Sequence, residues 1–158
     1  LITVGAILAL SCFPAIEKFR WKLYSELCQQ NMKQIYMSIK SYSERNNGAL
    51  PIGPDWPLLL AKDGNLTDTL SPEEFLCPYD YKTQKTSYAI NSNVTHLNFS
   101  DIPEDVVLLF EISSGDDTFG GERNLNFSKH NSYRVVLKNG ELKFGRDIEI
   151  EALNWGAK

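Results

Sequence analysis

His130 sits in KHNSYRVVLKNGELKF, just ahead of two short alternating runs. An imidazole can act as general base for a serine or cysteine nucleophile when a third group orients it and all three lie within hydrogen-bond reach. Nothing in the sequence fixes such a triad, and a histidine held by hydrogen bonds for structural reasons is the commoner case. The stretch SSGDDTFGGE, residues 113–122, places Asp116, Asp117 and Glu122 close together. Hard carboxylate oxygens at short spacing suit calcium, although the spacing is not that of an EF-hand and a solvated loop between strands is the alternative. The cysteines are Cys12, Cys28 and Cys77, with no Cys-x-x-Cys. Cys12 belongs to an apolar start, and the two that remain are too few for a closed zinc site. Asn65, Asn93, Asn98 and Asn126 head Asn-x-Ser/Thr sequons, which carry glycans only in a suitable host. A net charge of -4 without a basic stripe leaves nothing to neutralise a phosphate backbone, so no nucleic-acid partner is expected.

The elements that must position these residues follow from patterning. The chain has 158 residues, 42% hydrophobic and 23% charged, enough for one domain plus an anchor. Leu1–Phe13 reads LITVGAILALSCF with no charge. A helix of that length reaches about 20 Å, short of the ~30 Å of a bilayer core. Three readings remain: a signal-peptide core, which lacks a preceding basic stretch and a convincing cleavage site; a buried core helix, oddly ended by Pro14; or a membrane helix whose upstream end is missing. Pro14 is expected to break or kink the helix, which neighbours in a membrane tolerate. Glu17-Lys18-Phe19-Arg20-Trp21-Lys22 then alternates charge with aromatic, as at a membrane edge or on a solvated helix face.

The stretch from Cys28 to Pro51, CQQNMKQIYMSIKSYSERNNGALP, reads as an amphipathic helix. Trp21, Tyr24, Cys28, Met32, Ile35, Ile39 and Tyr42 fall on one face, with Gln29, Gln30, Lys33, Gln34, Ser38, Lys40, Ser41 and Glu44 opposite. Asn47-Gly48 is the stop signal and Pro51 lies just beyond. Short helices are predicted from Trp56 and from Pro72, the latter capped by Ser71. Strands are predicted over 87–91, over the continuous apolar run VVLLFEI (106–112), over 133–137 and over 141–144. The Asn139-Gly140 pair between the last two predicts a type I′ hairpin. The tail, with Trp155, is expected to fold back on the sheet.

An apolar segment running through a proline into a half-buried helix resembles the build of a type IV pilin or type II secretion pseudopilin. The wording Cys28-Gln-Gln-Asn-Met-Lys-Gln-Ile35 is similar to the Cys-x-x-Asn-(Leu/Met)-Lys-Gln-Ile of pilin-like proteins from planctomycete and verrucomicrobial bacteria. Trp56 to Leu60, Cys77-Pro78, Ser87-Tyr88-Ala-Ile-Asn91 and His130 ahead of Asn139-Gly140 match further parts of that pattern in order. The last departs from it, with eight residues instead of nine after the histidine and Asn in place of Asp. The resemblance implies an α+β fold in which a long N-terminal (trans)membrane helix packs on a small antiparallel β-sheet. Residues 1–22 would be the anchor half, lacking about eight upstream residues and with Gly5 rather than an assembly glutamate at position 5, and residues 23–158 the periplasmic head. It implies a structural, non-enzymatic subunit with no resident cofactor, apart from the calcium that the acidic stretch would take. The packing residues of its helix would be Pro14, Trp21, Tyr24, Met32, Ile35, Ile39 and Tyr42, the stripe from Trp21 to Tyr42 lying on the sheet while the upstream part of the helix stays free to pack against neighbouring subunits. Its partners would be other pilin-like subunits, or another membrane complex that it serves as an accessory, together with membrane lipid. It would reside in the bacterial inner membrane or in an extracellular filament. Cys28 and Cys77 sit where the family has cysteines, which in an oxidising periplasm implies a disulfide between helix and loop; two buried thiols are the alternative.

Overall fold

The computed structural model describes residues 2–62, 70–80, 86–112, 118–125, 132–145 and 152–156, with 2–14 as helical backbone alone. Helix α1 spans Ile2–Arg45, 44 residues and about 66 Å. It continues through position 14, where Pro14 was expected to break or kink it. Its end is as the sequence reads: Asn47 and Gly48 take positive φ of 55° and 86°, and the Gly48 N–H reaches back to the Ser43 carbonyl at 2.8 Å. Helix α2 spans Trp56–Lys62. A 3-10 turn covers Pro72–Phe75, its entry fixed by the Ser71 N–H donating to the Glu74 carboxylate at 2.5 Å.

Five strands form one sheet in the order β3-β1-β2-β4-β5. They are β1 (Tyr88–Asn91), β2 (Val107–Glu111), β3 (Phe119–Gly120), β4 (Tyr133–Leu137) and β5 (Leu142–Gly145). The apolar run is the central strand, buried on both faces. The sheet is mixed rather than wholly antiparallel: β1 pairs antiparallel with β2, but parallel with the two-residue β3, Ile90 lying opposite Phe119. The expected α+β layout, a long N-terminal helix on a sheet, is therefore present, with this correction to the sheet.

Two apolar layers flank the sheet. On one face Met32, Ile35, Tyr36 and Ile39 of α1 pack on Ile90, Leu109 and Val136, with Trp56, Leu60 and Phe75 closing the side. On the other, Ala89, Phe110, Ile112, Val135 and Leu137 are covered by Leu125, Leu153 and Trp155. The tail does fold back: Trp155 meets Phe110 edge-on at 5.2 Å, and the Asn154 carbonyl accepts from the Val107 N–H.

The hairpin between β4 and β5 is not type I′. Among the described residues Asn47 alone of the non-glycines has positive φ, so Asn139 cannot fill the first place of that turn. Instead the Gly140 N–H bonds the Leu137 carbonyl, the Leu137 N–H bonds the Glu141 carbonyl, both at 2.9 Å, and Gly140 takes φ +87°. This is a three-residue loop, a type I turn followed by a left-handed glycine. Tertiary contacts select it: the Lys138 and Asn139 amides donate to the carbonyls of Val106 and Glu104. The Tyr36 hydroxyl donates to the Lys138 carbonyl at 2.8 Å, tying α1 to the loop. A Cβ on Gly140 would lie 2.9 Å from a Tyr36 ring carbon. Gly140→Ala is therefore expected to lose about 2 kcal/mol in urea unfolding, from the left-handed backbone and this contact together.

Candidate functional site

Helix α1 has two halves with different surroundings. From Cys28 onward it is bedded in the head; residues 15–20 are all exposed. Along the exposed half Ile16, Phe19, Leu23 and Leu27 stand 56%, 69%, 42% and 37% accessible, at spacings of three, four and four that keep them on one face. That face lies about 145° around the helix from the buried row Cys28, Met32, Ile35 and Ile39, so the same helix serves the core with one side and presents apolar side chains to its surroundings with another. Among the described residues no helix is long and apolar enough to cross a membrane.

At the junction of the two halves an aromatic group meets the turn after Cys77. Trp21 lies 4.8 Å from Tyr79, Tyr24 lies edge-on to it at 5.0 Å, and the Arg20 guanidinium stands over Tyr24 at 5.8 Å. Directly beyond, Cys28 and Cys77 are joined in a disulfide with Cα atoms 5.3 Å apart. The rest of this junction is polar, with Ser87, Glu111 and Arg134 buried and Ser25, Asn31 and Asp80 half-buried. Asn31 donates to the Leu76 carbonyl at 3.1 Å. Ser87 accepts from the Cys77 N–H at 2.8 Å and donates to Asp80 at 2.7 Å, holding the cysteine turn against β1. Arg134 Nη1 bonds Glu111 at 2.9 Å, both side chains 1% accessible, and Nη2 bonds Ser25 of α1 at 2.8 Å.

Three residues of the Ser-Tyr-x-x-Asn wording thus have distinct structural work. Ser87 fixes the disulfide turn. Tyr88 faces α1, its hydroxyl 3.5 Å from the Cys28 carbonyl. Asn91, fully buried, donates to the carbonyls of Val107 at 2.7 Å and Trp155 at 3.1 Å, which clips the tail to the central strand.

Burial, and after it the Glu111 carboxylate, raises the Tyr88 phenol well above the ordinary 10, against smaller opposing effects of Asn31 and Arg134. Burial, and then Glu104, also raises Tyr36. A phenol whose folded pKa is raised stabilises the fold equally at all pH below its unfolded value; that stability is lost as pH rises past 10 toward the folded pKa, because only the unfolded chain releases the proton. Stability to urea is therefore expected to be flat in this respect from pH 7 to about 9 and to fall above 10. An ultraviolet titration should show Tyr88 ionising only as the chain unfolds.

The residues singled out in sequence are only partly brought together. Met32, Ile35 and Ile39 are wholly buried and Tyr42 packs at the edge of the same layer, whereas Trp21 is 43% accessible and belongs to the aromatic junction with Tyr24. Ser38, placed on the outer side by its pattern, is buried, as are Tyr36 and Ser43. Pro14's side chain, Asp116, Asp117 and His130 lie outside the described residues, so the acidic stretch is represented by Glu122, which opens an exposed 3-10 turn of Glu122–Asn124. Sequence reasoning missed Glu111 and Arg134. The visible signals were a carboxylate inside VVLLFEI and a cation inside YRVVL, neither of which says that the two meet.

The fold and this junction define an α+β protein in which a long helix is locked by a disulfide and a buried ion pair onto a mixed five-stranded sheet, while its N-terminal half carries an apolar stripe outward. Protein-family models, curated proteins and solved structures give no match to the chain.

Proposed function

We propose that this is a pilin-like structural subunit: the N-terminal half of α1 bundles with the same helix of other copies while the head forms the outer surface of the assembly. The observation that carries this reading is the exposed row Ile16, Phe19, Leu23 and Leu27 on a helix whose other end is cemented into the head. Four large apolar side chains in line are costly in water and form a ready seam for a second helix. Rigid attachment at Cys28 and Arg134 supports the same reading, because a load drawn along the helix would pass into the sheet rather than peel the helix away. The apolar start 1–13, continued upstream, would hold the subunit in the inner membrane before assembly, with the head in the periplasm. A buried disulfide fits an oxidising compartment.

The test is fractionation of producing cells. Shearing is expected to release the native protein as high-mass material, and Phe19→Asp with Leu23→Asp is expected to abolish that release while leaving the head folded, since both side chains are exposed. Native protein that stays in the membrane at fixed one-to-one ratio with a different protein would replace the filament reading by that of an accessory subunit.

A further inference from the structure

We propose that the pocket around Cys28 and Cys77 is also a cation site: when the disulfide is reduced, the two thiolates and the Glu111 carboxylate hold one zinc ion. Among the described residues this is the cluster of cysteine, histidine or carboxylate side chains whose ligand atoms converge. One Sγ from each cysteine and a carboxylate oxygen of Glu111 all lie within 4.8 Å of one another, and all three residues are fully buried. Thiolate and carboxylate together suit zinc, which accepts three protein ligands and keeps a fourth position for water. Arg134 Nη1 donates to one oxygen of the Glu111 carboxylate at 2.9 Å, and a carboxylate offers about four lone-pair sites on two oxygens, so ion pair and metal ligation can share it. Arg134, itself held by Ser25, then orients the ligand from behind.

Charge balance supports both states. With the disulfide closed, Glu111 and Arg134 neutralise each other in the interior. With zinc bound, two thiolates and one carboxylate offset the dication and the guanidinium, and the buried cluster is again neutral. An interior that tolerates one arrangement therefore carries no added net charge in the other. A reductant must open the disulfide first. A phosphine does so with one water, the phosphorus taking the oxygen while both protons go to sulfur; zinc then displaces two thiol protons as it binds. In either state a bond path crosses from α1 to the turn at Cys77, so the head keeps its tether in a reducing compartment as well as in an oxidising one.

The experiment uses the whole chain, oxidised or reduced with a phosphine, titrated with zinc against a chromophoric chelator and weighed by native mass spectrometry. One zinc per reduced chain and none per oxidised chain are expected. Cys28→Ser should lower the affinity by roughly a hundredfold and Glu111→Gln by roughly tenfold. Because Glu111→Gln leaves Arg134 unpaired and can unfold the head, cobalt is added to the reduced native chain as a second readout: intense tetrahedral bands with a thiolate charge-transfer band are expected, together with X-ray absorption showing two sulfur and two oxygen neighbours. Zinc uptake equal in oxidised and reduced protein, uptake unchanged in a Cys28→Ser, Cys77→Ser chain, or a metal without two sulfur neighbours would overturn the proposal.

Discussion

Arg134→Ala is expected to destabilise the protein by about 3–5 kcal/mol in urea unfolding, the largest loss from any single side chain on the helix-facing side of the sheet. The reason is desolvation rather than attraction. Glu111 on central strand β2 and Arg134 on β4 are each 1% accessible, and removing the guanidinium strands a carboxylate in an apolar interior while also releasing Ser25. The pair itself is a poor source of net stability: Arg134 Nε, buried, has no hydrogen-bond partner among the described residues. Replacing both partners, Glu111→Leu with Arg134→Met, should therefore recover most of the loss and can exceed the native stability. A double variant as unstable as Arg134→Ala would mean that the pair contributes more than mutual neutralisation.

Replacement of both cysteines by serine is expected to cost about 4 kcal/mol, the loop-closure value for cysteines 49 residues apart. The loss should appear equally when the native chain is reduced without metal. Its structural reading is specific. Ser87 and Asn31 still hold the 76–80 turn, so the sheet should keep its cooperativity while the aromatic contact of Trp21 and Tyr24 with Tyr79 loosens. Trp21 fluorescence should then shift toward that of a solvated indole before the main unfolding transition. A loss below about 1 kcal/mol would show that the ion pair and the apolar face already fix the helix without the covalent tie.

Much of this architecture is legible in the sequence because it rests on local pattern. The three-and-four spacing of Cys28, Met32, Ile35 and Ile39 gives the buried face of α1, Asn47-Gly48 its end, and VVLLFEI the central strand. What is not legible depends on contacts distant in sequence. The buried arc of the helix is wider than the stripe: it takes in Ser38 and also Tyr36, which packs against Phe99 and bonds the β4–β5 loop at the Lys138 carbonyl. Asn-Gly suits two hairpin turns equally well, and the choice is made by the carbonyls of Glu104 and Val106, more than thirty residues away. The parallel pairing of β1 with β3 involves a strand of two residues, too short for any alternation to show. Glu111 and Arg134 read singly as interruptions of apolar runs; only the register of β2 against β4, with Phe110 opposite Val135, brings them side by side.

The central claim is that the exposed row on α1 is a seam between copies of this chain. A photo-crosslinking residue placed at Phe19, 69% accessible and clear of the head's core, tests it in living cells. The account predicts a ladder of dimers, trimers and higher multiples of this chain on illumination, lost when Leu23 is replaced by aspartate. Crosslinking to a single different protein, or no product beyond the monomer, would contradict it.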